Sequence, residues 1–298
     1  MLESLLISAV SQFEVFVAKL MEISLLADDR PLVRSERKMT YGEVSQYPSM
    51  GAFRREMARN FLDTMMRNDL TAWMKFLGEA TKVELSWVID SLDEVIKRRN
   101  VHVHANGRAS AQYIRTLGKK AAAVKEGDPL PVTFSYLMDA TDRISEAALV
   151  ISQAAVRALC CHIKDPELAR TARNEENVVE GTFDLLVAGR FVAVAPLYAR
   201  LEPLMATASA KESIRANSLH AKKALYGIDS TREEIYAWDV SSSADQLVLV
   251  RHCLLDETEQ AAAIFKRLEA QGSMSVLELA TWPILAPLRT HLLADNSE

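Results

Sequence analysis

Glycine and proline are scarce, ten and nine residues in a chain of 298, which argues against a turn-rich β architecture. The same scarcity leaves long stretches without a breaker. In them Ala, Leu, Glu, Arg and Lys dominate and apolar residues recur every three or four positions, the pattern of amphipathic helices. The chain therefore reads as all-α. Cysteine is scarcer still: Cys160, Cys161 and Cys253 form an odd set with two adjacent. That set gives neither a disulfide framework nor a zinc-ligand spacing, and it reads as reduced thiols in a cytoplasmic protein. Long hydrophobic runs are interrupted. The two most apolar segments, 147–163 and 183–198, contain Arg157 and Arg190, and the second also contains Pro196. Glu3 and Glu14 interrupt the apolar beginning, so neither a membrane span nor a secretion signal is expected.

Excess positive charge is also lacking. Thirty-five Lys and Arg against 40 Asp and Glu leave a net charge of −5, and the sequence pI is near 5.8. A polyanion site, if present, must be local. No glycine-rich phosphate loop, nucleophile elbow or zinc motif occurs, so no cofactor or metal is expected. His162, His220, His252 and His291 are scattered singly on helical patterns and read as structural. Trp73, Trp87, Trp238 and Trp282 sit among apolar residues at helical intervals and read as core anchors.

The apolar periodicity predicts a helix over 2–26, a short turn of helix from Met39 to Val44, and helices near 51–67, 69–79, Thr81–Arg99 and 109–124, with a loop at 100–108. Gly127, Asp128, Pro129 and Pro131 form a breaker. The longest helix follows over about 133–163 and closes at Asp165–Pro166, which suggests a domain boundary between 1–165 and 166–298. In the second half, Leu186–Glu202 can be laid over Cys253–Glu269 at an offset of 67. Leu197, Tyr198, Arg200, Leu201 and Glu202 then fall on Ile264, Phe265, Arg267, Leu268 and Glu269. The offset is near twice the period of tetratricopeptide-type helix pairs. This half resembles a degenerate array of that kind, with a plain helical bundle as the alternative.

The informative stretch runs from Glu94 to Gly107. Val88, Leu92, Val95 and Ile96 form an apolar stripe whose spacing puts Arg99 on the same face. Arg98 follows Glu94 by four residues on the opposite face, where a solvated ion pair is expected. His104 comes five positions after Arg99, close to the expected helix end, where the imidazole and guanidinium could converge. Histidine can accept or donate a proton at neutral pH, and arginine can hold phosphate oxygens and stabilise a phosphorane-like transition state. From Lys97 to Lys125 eight basic residues (Lys97, Arg98, Arg99, Arg108, Arg115, Lys119, Lys120 and Lys125) occur with no Asp or Glu. Such a run can attract a phosphate backbone or simply be a solvated helix face.

An Arg, a polar residue, three variable positions and a His make the signature of HEPN domains, and Arg99-Asn100-Val101-His102-Val103-His104 resembles it. The first helix with Leu-Ile-Ser-Ala-Val-Ser-Gln-Phe-Glu-Val-Phe, then Gly107, Gly127 and the Val132–Leu137 start of the long helix extend the resemblance over about residues 1–165. The resemblance implies a helical bundle that dimerises, joins two motifs in one cleft and cleaves RNA without metal. Active members serve as toxins or antiphage defence effectors, neutralised or triggered by an antitoxin or sensor protein. By the same resemblance Arg99 stabilises the phosphate, His104 transfers protons and Asn100 helps to orient them. Lys97, Arg98, Arg108, Arg115, Lys119 and Lys120 would bind RNA. His102 is the second candidate for the base, and resemblance rather than geometry prefers His104. Where many relatives have Asn directly after the motif His, this chain has Ala105 and then Asn106. Because some HEPN-like domains are noncatalytic, an RNA- or protein-binding module is the alternative function.

Overall fold

A computed structural model describes the chain except residues 29–31, 33–38, 162–174, 242 and 296–298. His162, the helix stop at Asp165–Pro166 and the boundary at 165/166 lie outside the described residues. The described residues are helical with no strand; a single isolated β-bridge joins Arg108 and Pro129. The chain divides into two compact units, Met1–Arg173 and Asn174–Glu298.

The first unit contains α1 (Leu2–Ala27), α2 (Tyr41–Val44), α3 (Met50–Met65), α4 (Leu70–Thr81), α5 (Ser86–His104), α6 (Ala111–Leu117) and α7 (Phe134–Cys160). Side-chain caps fix several starts. Thr40, Ser49, Asp69, Ser110 and Thr133 each accept a hydrogen bond from a backbone N–H of the helix that follows, satisfying donors that would otherwise be orphaned. By length and composition alone, α1 is apolar enough to cross a membrane. One of its faces, however, is the bundle core: Leu6, Val10, Phe13, Val17, Met21 and Leu25 are all buried. Each such side chain contributes about 1.5–3 kcal/mol on burial. Around this face close Trp73, Leu77, Val88, Leu92, Val95, Ala140 and Ile151.

A second, smaller cluster sits beside the end of α5, where Val101 packs with Ala109, Tyr113, Leu117, Ala121 and Leu130. The segment 105–131 forms a small lobe around it, laced by Ala109 N–H to Asp128 O (2.9 Å), Gly127 N–H to Ala109 O (2.8 Å) and Leu130 N–H to Gly107 O (2.8 Å). This lobe corrects the expected loop at 100–108. Burial of Val101 carries α5 one more turn, through His104, before Asn106 and Gly107 adopt positive φ (48° and 72°). Gly107 N–H then returns to Val101 O at 3.2 Å, a glycine-terminated helix end.

The second unit contains α8 (Glu175–Val187), α9 (Phe191–Val194), α10 (Leu197–Leu201), α11 (Ala208–Tyr226), α12 (Ile228–Tyr236), α13 (Asp245–Leu254), α14 (Thr258–Ala270), α15 (Val276–Thr281) and α16 (Ala286–Asp295). Fully buried Trp238 stands in a core with Leu219, Ile235, Leu249, Leu254, Phe265 and Leu285. The 67-residue offset has a structural counterpart. α8 ends at Val187 and α13 at Leu254, Gly189 and Asp256 both take positive φ (69° and 61°), and the next helices begin at Phe191 and Thr258. The closing bonds also correspond, Arg190 N–H to Leu185 O (2.8 Å) and Glu257 N–H to His252 O (3.0 Å). The two segments part at Pro196, where α9 breaks before α10 begins, while α14 runs on unbroken.

Candidate functional site

The motif residues all project from α5, and the helix decides which of them meet. Successive residues turn by about 100°, so Arg99 continues the buried stripe of Val88, Leu92, Val95 and Ile96, as expected. There its guanidinium donates to the Glu14 carboxylate of α1, with the two side chains 14% and 23% exposed. The Arg99 Nε is buried and has no hydrogen-bond partner among the described residues. Burial pushes the Glu14 carboxyl above the ordinary carboxylate value and outweighs the opposing charge and hydrogen bond of Arg99. A half-buried arginine is thus neutralised by an acid 85 positions away.

His104 is exposed on the last residue of α5. Because the helix is unbroken through His104, its side chain leaves about 140° around the axis from Arg99. Asp93, Lys97, Asn100 and His104 instead share one polar stripe, spaced by four, three and four, with Asn100 exposed. The anticipated convergence of Arg99 and His104 at a helix end does not occur within one chain. His102 lies only about 60° from Arg99 around the helix, but its Nε2 is 2.8 Å from the Leu130 carbonyl and donates to it. Its ring also packs against Gly107, where a Cβ would come within 3.0 Å of Cε1. That imidazole ties the lobe to the helix.

The eight basic residues fall into two groups. Lys97 pairs with Asp93 (2.6 Å), Arg98 with Glu94 (2.7 Å) and Arg99 with Glu14, while Lys120 lies 3.7 Å from the Asp90 carboxylate and donates to its carbonyl at 3.0 Å. Arg108, Arg115, Lys119 and Lys125 are exposed on the lobe, and among the described residues none of their side chains forms an ion pair, although the Asp128 carboxylate accepts from the Lys125 backbone N–H at 2.8 Å. The Arg108 guanidinium donates to the Gly127 carbonyl, at 2.9 Å. The free positive charge therefore belongs to the lobe.

The pair expected to be solvated is instead the centre of a network. Arg98 and Glu94 are 19% and 21% exposed. Glu94 Oε1 accepts from Arg98 Nε and from the Tyr113 hydroxyl, both at 2.7 Å, and Oε2 accepts from the Tyr136 hydroxyl at 2.8 Å. The Arg98 guanidinium lies 4.1 Å over the Tyr136 ring and donates to the Pro131 carbonyl at 3.3 Å. Burial together with the neighbouring Glu94 charge pushes the Tyr113 phenol up to about 12 and raises Tyr136 as well, so both remain hydrogen-bond donors at neutral pH. Sequence reading finds the i,i+4 pair but gives no partner for Glu14 and misses Tyr113 and Tyr136, for which no local spacing gives a signal.

Elsewhere in the unit a cleft of about 950 Å³ is lined by Phe61, Phe76, Lys75, Lys82 and Arg157, and no motif residue reaches it. Among the described residues no group of three or more His, Cys, Asp or Glu could hold a metal ion. Searches of protein-family models, curated proteins and solved structures return no match to this chain.

Proposed function

We propose that this chain is a HEPN-type endoribonuclease that acts as a dimer and cleaves RNA without a metal ion. The observation that carries the reading is the exposed His104 at the end of α5, next to a lobe whose Arg108, Arg115, Lys119 and Lys125 side chains form no ion pair among the described residues. An imidazole open to solvent is accessible to a substrate as a proton carrier, and unneutralised cations draw in a phosphate backbone. In the reaction a base removes the ribose 2′-OH proton, the 2′-oxygen bonds to phosphorus and the P–O5′ bond breaks. The departing 5′-oxygen takes a proton, leaving a 2′,3′-cyclic phosphate and a 5′-hydroxyl. The two proton transfers need a base and an acid, and a pair of copies supplies two imidazoles. Arg99 would stabilise the added phosphorane charge once the phosphate competes with Glu14 for its guanidinium.

That competition also favours a second reading. With Arg99 already neutralised by Glu14, the motif can be structural and the chain a noncatalytic module that binds RNA or a protein partner through the lobe. Labelled RNA incubated with the protein in EDTA distinguishes the two. The first reading expects 2′,3′-cyclic phosphate ends and a loss of about 10²–10⁴-fold in rate for His104→Ala, with unchanged thermal unfolding because the side chain is exposed. Intact RNA with the wild type in the presence of candidate triggers leaves the noncatalytic reading.

A further inference from the structure

Glu94 stands where three parts of the first unit meet. Its carboxylate serves Arg98 on its own helix, Tyr113 on the lobe and Tyr136 on α7. Tyr113 is 4% exposed and lies in the lobe's small core. Its 2.7 Å bond to Glu94 is shorter than the other side-chain hydrogen bonds that join lobe and helix among the described residues, which are His102 to Leu130 O (2.8 Å), Lys120 to Asp90 O (3.0 Å), Arg98 to Pro131 O (3.3 Å) and Lys97 to Thr116 O (3.4 Å). It is also charge-assisted, and such bonds are about twice as strong as neutral ones. The division of labour makes this bond matter. The unneutralised cations are on the lobe and the proton carrier is on the helix. A phosphodiester held by the first reaches the second only if the span between them is fixed, and misplacement by about 1 Å can cost a hundredfold in rate.

We infer that Glu94 is a positioning residue for the RNA site: through Tyr113 it docks the cation-bearing lobe onto α5 at a set distance from His104. The inference rests on the ribonuclease reading above. Tyr113→Phe keeps the buried ring and deletes only the bond to the carboxylate, and Glu94→Gln removes the charge. Tyr136→Phe deletes the bond to the other carboxylate oxygen, which leads to α7 and not to the lobe.

The first measurement is amide hydrogen exchange of the unbound full chain over 109–128. Tyr113→Phe and Glu94→Gln are expected to exchange about tenfold faster there, with Tyr136→Phe at the wild-type rate. The second compares RNA affinity by fluorescence anisotropy with single-turnover cleavage. Because every lobe cation is retained, Kd stays within about threefold, while the rate falls roughly tenfold or more in the two lobe-freeing variants. A structural role alone would lower the melting temperature without separating rate from affinity. Unchanged exchange in Tyr113→Phe and Glu94→Gln overturns the docking, and raised exchange with an unchanged cleavage rate overturns the positioning role. A wild type that neither binds nor cleaves RNA sinks the ribonuclease reading and the positioning role with it; the exchange data separate that result from a failure of docking.

Discussion

The eight basic residues between Lys97 and Lys125 look alike in sequence and differ in three dimensions. On α5, Lys97, Arg98 and Arg99 each face a carboxylate, and Arg99 is 14% exposed. On the lobe, the side chains of Arg108, Arg115, Lys119 and Lys125 stand in solvent without an ion pair among the described residues. A count of charges along a window thus overstates the potential of the helix and, Lys120 beside Asp90 apart, describes the lobe. The neutralising acids come from outside the window, from Asp90, Asp93 and Glu94 just before it and from Glu14 on another helix. The helix cations should therefore matter chiefly to stability, the lobe cations chiefly to polyanion binding.

Removing one arginine from each group gives the largest expected contrast. Arg99→Ala leaves the Glu14 carboxylate half-buried and unpaired, which should cost roughly 2–3 kcal/mol in urea unfolding, below the full penalty of a completely buried pair. Arg115→Ala, on an exposed position, should stay within about 0.5 kcal/mol. Adding Glu14→Ala to Arg99→Ala should recover part of the loss, because the orphaned charge goes with it. Equal losses for Arg99→Ala and Arg115→Ala would erase the distinction between the groups.

Binding provides the reverse test. Replacing Arg108, Arg115, Lys119 and Lys125 together by alanine should flatten the plot of log affinity for single-stranded RNA against log salt by about 2.8, since each phosphate contact contributes roughly 0.7. Over 50–200 mM salt those four contacts account for about a fiftyfold loss of affinity in the wild type. The paired Lys97 should contribute little to that slope. If Lys97→Ala flattens the plot as much per residue as the lobe substitutions do, the neutralisation seen on α5 has no bearing on binding.

The parts of this arrangement that the sequence disclosed are those set by near neighbours. The all-α class followed from periodicity and missing breakers, and the stripe Val88, Leu92, Val95 and Ile96 is buried as its spacing predicted. The 67-residue offset of the second half has matching helix ends and turns at Gly189 and Asp256. What stayed hidden was set by distant chain. The helix continues through His104 because Val101 is held by Tyr113, Leu117 and Leu130, although Asn, His and Val are modest helix formers. Arg98 has its partner at i−4, but the cover that makes the pair a hub comes from Tyr113 and Tyr136, 19 and 42 residues from Glu94. Glu14 shows in the sequence only as an acid within an apolar first helix, and packing α1 against α5 reveals which arginine it meets.

The smallest effect concerns that same glutamate and separates burial from pairing. Its carboxyl is raised from the ordinary value of 4.5, with desolvation outweighing the attraction of Arg99. A carboxyl whose pKa is higher in the folded than in the unfolded chain binds protons more readily when folded. Its contribution to stability is therefore fully present below about pH 4.5 and is lost as the pH rises through the raised folded value. Glu14→Gln removes the titration, so the stability of the wild type relative to this variant should decline across that window and level off above it. Arg99→Ala removes the opposing attraction and should move the window to higher pH. If pairing outweighed burial, the wild type would instead gain on Glu14→Gln as the pH rose, and Arg99 would hold Glu14 as firmly as Glu94 holds Arg98. Urea unfolding of the three proteins at a series of pH values reads the sign directly.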